Sequence, residues 1–423
     1  MKILIASDLF VPVLNGVSIF TRNLAYGLAK KGHEVIVIAP SQTGRKYKEV
    51  DRNYTIYRTR SVIFPFYQNI RMSSAPQLEI RKIIQEFQPD IMHIQMPLPI
   101  GQGAILWARR YGIPVVTTSH AMPENLLENL KKLSSFSRPI NYIISDFGRR
   151  FHNQADVITS PTKSGIESFG RHVDKLRKPI KIISNGINLQ EYAPGVAPKA
   201  LYEKYGLPTD KPIVTYIGRV DAEKHLSVVI GAFERVREVT DAHLLIVGDG
   251  VDRANLQALV EEADLSDYAT FTGRVSDEDK ILLEHVGSVY VMPSPVELQS
   301  IATLEAMASG QPVVAVDAGA LGELCHEGKN GYLFDLDNDE QCAAGILEII
   351  TQPHVREQFS KESIRIAQTH DINQVLDTFV KLYEDTILAK QKDLAARPER
   401  LIDRIREYDL LEKRRKAKSE VNK

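Results

Sequence analysis

Short, unbroken runs of β-branched and aliphatic residues recur along this chain, each followed by a turn and a stretch of helical periodicity. Lys2–Ala6, Glu34–Ala39, Asp90–Ile94, Val115–Ser119, Asp156–Thr159 and Ile180–Ile183 form one series. Ile213–Ile217, His243–Val247, Thr270–Thr272, Val289–Met292, Val313–Val316 and Tyr332–Phe334 form another. Strands that are apolar throughout, instead of at alternate positions, are those buried on both faces, as in a parallel sheet covered by helices. Between them lie helical patterns: Phe20, Leu24 and Leu28 within Ser18–Lys31, stopped at Gly32, then Leu226–Val239 and Gln299–Ser309. Strand–helix alternation, run through twice, predicts an α/β protein of two doubly wound, Rossmann-like domains with parallel sheets.

Length agrees, since 423 residues exceed one ordinary core. The expected domains are 1–190 and 191–370, with the join near Tyr192–Pro212, where Pro194, Gly195, Pro198, Gly206, Pro208 and Pro212 interrupt regular structure. Residues 391–423 read as a partly helical basic tail, in which Leu401–Lys418 is dense in charge.

The two cysteines, Cys325 and Cys342, lack a CxxC spacing or a neighbouring histidine. They read as reduced thiols in a reducing, cytoplasmic compartment, with a disulfide or a metal pair as the less favoured readings. MKILIASDLF reads as a buried strand, too short in its apolar part for a signal peptide, and no run of about 18 apolar residues suggests a membrane span. The net charge of −1 hides an imbalance: residues 1–190 hold 26 Lys and Arg against 13 Asp and Glu, and the remainder holds 27 against 41. A basic first half suits an anionic partner such as a membrane surface, a nucleic acid or a phosphorylated substrate.

Ligands of parallel α/β sheets bind beyond the carboxyl ends of the strands, and the unusual residues fall there. Asn15-Gly16 follows the first strand and opens a helix, a geometry suited to an anion. His93 and His120 sit in or after strands, where a histidine serves as structural hydrogen-bonding group, substrate contact or proton carrier. In IGRVDAEKH, Arg219 and Lys224 are spaced to converge on one diphosphate. Gly248, in VGDG, and the backbone at Val275, in FTGRV, allow close approach of a base or ribose. The most specific element is MPSPVELQSIATLEAMASGQPVVAV: Glu297 precedes a helix beginning near Gln299, and Glu305 lies within it. Apolar neighbours around Glu305 demand a buried polar partner, while the helix start offers free N–H groups at Ser300 and Ile301.

In this order, Gly16, His120, Arg219-x4-Lys224 and the Glu297-x7-Glu305 element with its EAMASGQPVVA tail resemble the family-4 retaining glycosyltransferases. The resemblance runs to about Leu388 and implies the GT-B fold, with two Rossmann-like domains facing a central cleft and a C-terminal helix, residues 371–390, crossing back onto the first. It further implies that Arg219 and Lys224 bind the donor diphosphate, helped by Gly16 and the N–H groups of Ser300 and Ile301. Glu297 would hold the donor sugar, Glu305 the ribose, the backbone at Val275 the base, and His120 the transferred sugar. Leu298 and Gln299 fall in the donor loop. A nucleotide-sugar is the expected donor, with no metal and no other cofactor.

Asn15, where the family often has a second glycine, and Leu298-Gln299-Ser300, where many members read Gly-Phe-Gly, are similar to the branch acting on lipids. So is the amphipathic stretch after His120, with Leu126, Leu127, Lys131 and Lys132. Together with Phe64, Phe66, Tyr67 and Arg71 it would rest on an anionic bilayer, core packing being the rival explanation for its leucines. The expected activity is transfer of a hexose, from UDP-glucose first or GDP-mannose second, to a lipid such as diacylglycerol by a monomer or weak oligomer, peripheral on the inner face of the plasma membrane. The alternatives are a soluble glycan or small-molecule acceptor and a nucleotide-sugar epimerase. Nucleic-acid binding is disfavoured, because the basic half lacks interleaved aromatic residues for base stacking.

Overall fold

The computed structural model describes residues 1–13, 15–64, 70–120 and 137–396. The chain divides into two compact units. The first takes Met1–Pro161, Ile166–Ile183 and the chain from Leu376 onward; the second takes Thr162–Gly165 and Ser184–Val375. The Tyr192–Pro212 stretch thus belongs to the second unit, where it carries a short helix, Lys199–Tyr205.

The first unit is built on strands β1 (Lys2–Ala6), β2 (Glu34–Pro40), β3 (Tyr47–Asp51), β4 (Tyr54–Thr59), β7 (Ile91–Ile94), β8 (Val115–Thr118), β9 (Val157–Ser160) and β10 (Ile180–Ile182), while β5 (Ser61–Ile63) and β6 (Arg71–Ser73) form a separate antiparallel pair. The eight-stranded sheet runs β10-β9-β8-β7-β1-β2-β4-β3. All its pairings are parallel except β3 with β4 at the edge. The sequence pattern identifies the central strands and misses β3 to β6. YKEVD in β3 alternates between half-buried and exposed positions, as an edge strand does, so it never forms an apolar run.

The second unit holds β11 (Ile213–Ile217), β12 (His243–Val247), β13 (Ala269–Gly273), β14 (Val289–Met292), β15 (Val313–Val316) and β16 (Gly331–Phe334). They are all parallel, in the order β13-β12-β11-β14-β15-β16. Strands β11, β12, β14 and β15 are buried along their whole length, which is what their unbroken apolar sequences require. Cys325 and Cys342 lie unpaired in this core, where burial raises both thiols above their ordinary range.

The helix Ile372–Ala396 begins in the second unit and completes the first. Gly27, in the helix Gly16–Lys30, makes room for Leu376, since a Cβ at 27 would lie 2.3 Å from a Leu376 methyl. Lys31 pairs with Asp377 at 2.6 Å and Lys390 with Asp156 at 2.7 Å. At the centre, the Tyr383 hydroxyl bonds His93 Nδ1 at 2.7 Å, and His93 Nε2 bonds Thr118 Oγ1 at 2.5 Å. His93 is fully buried, and burial lowers its pKa to about 3, so it is a neutral structural link between sheet and helix. Tyr383→Phe should strand one ring nitrogen of His93 and cost about 1–3 kcal/mol of stability, as measured by urea unfolding.

Candidate active site

In the second unit, β11 and β14 are neighbours, yet the chain proceeds from β11 toward one sheet edge and from β14 toward the other. Loops that leave a parallel sheet at such a switch diverge, and the crevice at the carboxyl ends of the two strands is the standard ligand position. The loop after β11 carries Arg219 and Lys224; the loop after β14 carries Ser294 and Glu297. Lys224 Nζ lies 2.6 Å from Glu297 Oε1 and 3.3 Å from Ser294 Oγ. The Arg219 guanidinium pairs with Asp221 and Glu223, and the Tyr216 hydroxyl donates to the Arg219 carbonyl at 2.7 Å, fixing its backbone.

Burial opposes the ionised form of Glu297. Even so, the Lys224 ammonium, hydrogen bonds from Lys224 and Ser294, and the Arg219 charge hold its carboxyl below the usual glutamate range. This records the closeness of Arg219, Lys224 and Glu297 in electrostatic terms.

The helix that follows is Ile301–Ala308, slightly shorter than the Gln299–Ser309 expected. Ser300 is its N-cap: Oγ accepts the Thr303 N–H at 3.3 Å and the Thr303 hydroxyl at 2.8 Å. The remaining N–H groups of the first turn have no acceptor inside the helix and present their positive ends to the same loop. The buried Glu305 has the polar partner its apolar neighbours demanded, the half-buried Lys280, with Nζ 2.6 Å from Oε2. Gly319, which the sequence reading passed over, supports the Glu297 loop. Its φ is +56°, and a Cβ there would lie 2.7 Å from the Glu297 carbonyl oxygen.

Other expected donor residues fall differently. Gln299 is buried with its side chain turned to the loop at 184–185: its Oε1 accepts the Asn185 N–H at 2.7 Å, and its Nε2 donates to Ser184 Oγ at 3.1 Å. The Leu298 carbonyl accepts from Thr162 Oγ1 at 2.6 Å. Gln299 and Leu298 therefore shape the loop, and the amide of Gln299 is committed to protein groups. Gly248 has φ +138°, and a Cβ there would lie 1.8 Å from the Gly218 carbonyl oxygen; the close approach is between two backbone segments. Val275 lies just after β13, half-buried, ahead of the Ser276 cap of the next helix.

In the first unit, the switch falls between β1 and β7. Asn15 is the N-cap of the helix Gly16–Lys30, its Oδ1 accepting the Ser18 N–H at 2.9 Å. Gly16 has no atom within 4 Å of a Cβ position, so no crowding within the protein calls for glycine there. His120 Nε2 bonds Gln95 Oε1 at 2.7 Å, and the ring leans on Phe20 with centroids 5.0 Å apart. Burial, with a small contribution from His152, lowers its pKa to about 3. The ring is then neutral in the physiological range, where it donates or accepts a hydrogen bond.

Sequence reasoning missed Gln95 and Asp8. The fully buried Asp8 carboxylate accepts N–H groups of Ile100 and Gly101 at 2.9 and 3.1 Å, and burial raises its pKa to about 7 despite those bonds. Only their positions just after β1 and β7 could have marked them. Phe64 is half-buried, and Arg71 donates to Ser61 Oγ and the Ser61 carbonyl at 3.0 and 3.1 Å, so its guanidinium is tied within the β5–β6 pair. Phe66, Tyr67, Leu126, Leu127, Lys131, Lys132 and the basic tail beyond Ala396 lie outside the described residues.

The profile of the family described as "Glycosyltransferase Family 4" matches residues 14–191, and that of "Glycosyl transferases group 1" matches residues 199–365. Between them they take in both units and every residue of the crevice. The chain belongs to the family-4 glycosyltransferases. This transferase is 29% identical over 360 residues to a GDP-mannose-dependent alpha-mannosyltransferase of Mycolicibacterium smegmatis, covering 83% of this chain and 89% of the relative. It is 26% identical over 407 residues to an alpha-monoglucosyldiacylglycerol synthase of Streptococcus pneumoniae, with 93% and 88% covered. Among solved structures, sucrose-phosphate synthase from Thermosynechococcus elongatus superposes with a TM-score of 0.76 at 20% identity, covering 92% of this chain and 99% of that one. The fold is thus that of the GT-B glycosyltransferases. Among the described residues of the transferase, no helix is long and apolar enough to cross a membrane.

The depressed pKa of Glu297 makes the Lys224 pair a stabilising element above the ordinary glutamate pKa, lost as pH falls through the lower folded value. Lys224→Met should cost about 3 kcal/mol at pH 7 by leaving a buried carboxylate unpaired. The cost should shrink toward pH 4, where the variant's Glu297 takes up a proton. Thermal melts across pH test this, and a difference that does not change with pH contradicts it.

Proposed function

We propose that this transferase moves a hexose from a nucleotide-sugar to a lipid acceptor with retention of anomeric configuration. UDP-glucose is the first-choice donor and diacylglycerol the first-choice acceptor. The observation that carries this reading is the gathering of Lys224, Glu297 and Arg219 at the β11–β14 switch, beside the start of the helix Ile301–Ala308.

Breaking the bond between the anomeric carbon and the phosphate oxygen leaves its electron pair on the diphosphate. The negative charge grows there while positive charge grows on the sugar. Arg219, Lys224 and the free helix N–H groups are placed before the reaction to receive that charge, the arrangement that contributes most in such sites. The diphosphate is met by protein groups alone, so the reaction needs no metal ion or other cofactor. Glu297 holds the sugar hydroxyls as well as Lys224, Glu305 takes the ribose, and the backbone at Val275 takes the base. Within the first unit, neutral His120 offers a hydrogen bond to a sugar hydroxyl. The acceptor hydroxyl attacks on the face the diphosphate leaves and passes its proton to a departing phosphate oxygen, with no covalent sugar–enzyme adduct.

Support for a lipid acceptor comes from the similarity to the alpha-monoglucosyldiacylglycerol synthase and from the basic surplus of residues 1–190, 26 Lys and Arg against 13 Asp and Glu. A peripheral position on an anionic membrane surface follows from the same charge. The similarity to the GDP-mannose-dependent enzyme favours GDP-mannose as the second reading of the donor.

The test is incubation with UDP-glucose, UDP-galactose and GDP-mannose, each with anionic vesicles containing diacylglycerol or with soluble sugars. Nucleotide release and labelled glycolipid are followed. Release that needs diacylglycerol supports the reading; turnover with soluble acceptors alone overturns the lipid assignment. In the productive pair, Arg219→Ala should lower kcat on the order of 100-fold or more, and turnover near wild type would remove Arg219 from the mechanism.

A further inference from the structure

Glu305, in the helix Ile301–Ala308, belongs to a group of ionisable side chains whose other members the mechanism above does not use. Lys280 projects from the helix Asp277–Leu283. Its Nζ lies 2.6 Å from Glu305 Oε2 and 3.4 Å from the Tyr192 hydroxyl. One turn on, the fully buried Glu284 has Oε2 3.1 Å from Gln311 Nε2, and Gln311 Oε1 in turn takes the Thr215 hydroxyl at 2.6 Å. Glu284 Oε1 has no partner among the described residues.

Two buried carboxyls thus share one half-buried ammonium, and three full charges would leave a surplus of negative charge largely out of water. Such a surplus is relieved by keeping one acid protonated. Burial first, then the neighbouring Glu305, raises Glu284 well above the usual glutamate value. Burial works against the Lys280 ammonium, but Glu305 and Glu284 carry its pKa above the ordinary one. The lysine charge is therefore available to Glu305.

We infer that Lys280 is a positioning residue of the donor site: by pairing with Oε2 it fixes the Glu305 carboxylate that receives a ribose hydroxyl. The inference rests on the ribose role proposed for Glu305. The anchoring cation comes from a helix outside the Glu297-x7-Glu305 element, so donor recognition depends on two segments of the second unit.

The experiment is calorimetric titration of the full chain with UDP and with GDP, each against its 2′,3′-dideoxy analogue. Wild type should bind the ribonucleotide of one pair more tightly than the analogue by on the order of ten- to a hundredfold. Lys280→Met should lose that preference as Glu305→Ala does, by weakening the ribonucleotide and leaving the analogue unchanged, and Lys280→Arg should restore part of it. If Lys280→Met does not fold, judged by its melting curve, Lys280→Gln carries the comparison. Preference kept in the Lys280 variants but lost in Glu305→Ala overturns the inference. Preference kept in Glu305→Ala overturns the ribose role itself.

Discussion

The site proposed for a diphosphate lies in the acidic part of the chain, in which residues 191–423 carry 27 Lys and Arg against 41 Asp and Glu. The structure meets this constraint locally. Arg219 is held by Asp221 and Glu223, Lys224 by Glu297; both cations lie in the loop leaving β11, and Glu297 in the loop leaving the adjacent β14. The carboxylates do two things at once. They fix long, otherwise mobile side chains in one geometry, and they reduce the cost of assembling like charges before any ligand arrives. A phosphate entering this crevice shares the cations with partners already in place, so the order of the site does not depend on the ligand.

That order rests on the strand sequence in the second sheet. Only where β11 and β14 lie side by side do two loops meet with their connections running apart. Glycines make the junction possible at close range. Gly248 permits the end of β12 to touch the Gly218 carbonyl, and Gly319 permits a third loop to lie under Glu297. In both places the small residue serves contact between backbones, whereas at Gly16 no atom of the described residues occupies the space a side chain would take.

Much of this was legible from residues alone, and for a physical reason. Strands buried on both faces have to be apolar throughout, so β11, β12, β14 and β15 declare themselves with their boundaries. Edge strands face solvent and need no such run, so β3 was hidden. At the site, Arg219, Lys224, Glu297 and Glu305 share one short stretch or one repeated spacing, and a carboxylate among Leu304, Ala306 and Ala308 announces a buried partner. Which partner was not legible: Lys280 lies on a different helix, and only the folded chain brings it to Glu305. The same holds for Gln95 beside His120. Gln299 misled because a polar residue at a helix start serves loop anchoring as readily as ligand binding, and its bonds to Ser184 and Asn185 join segments far apart in sequence.

The closing helix has a consequence for how the protein is made. The first unit's sheet takes its strands from the first 183 residues, but the side chains that cover it, Leu376, Phe379 and Tyr383, are translated only after the entire second unit. Until those residues leave the ribosome, His93 lacks its tyrosine partner and the space above Gly27 has no Leu376 to fill it. The first unit therefore lacks one of its covering helices until the end of synthesis, while the second unit, continuous apart from a four-residue stretch already synthesised, is complete before it.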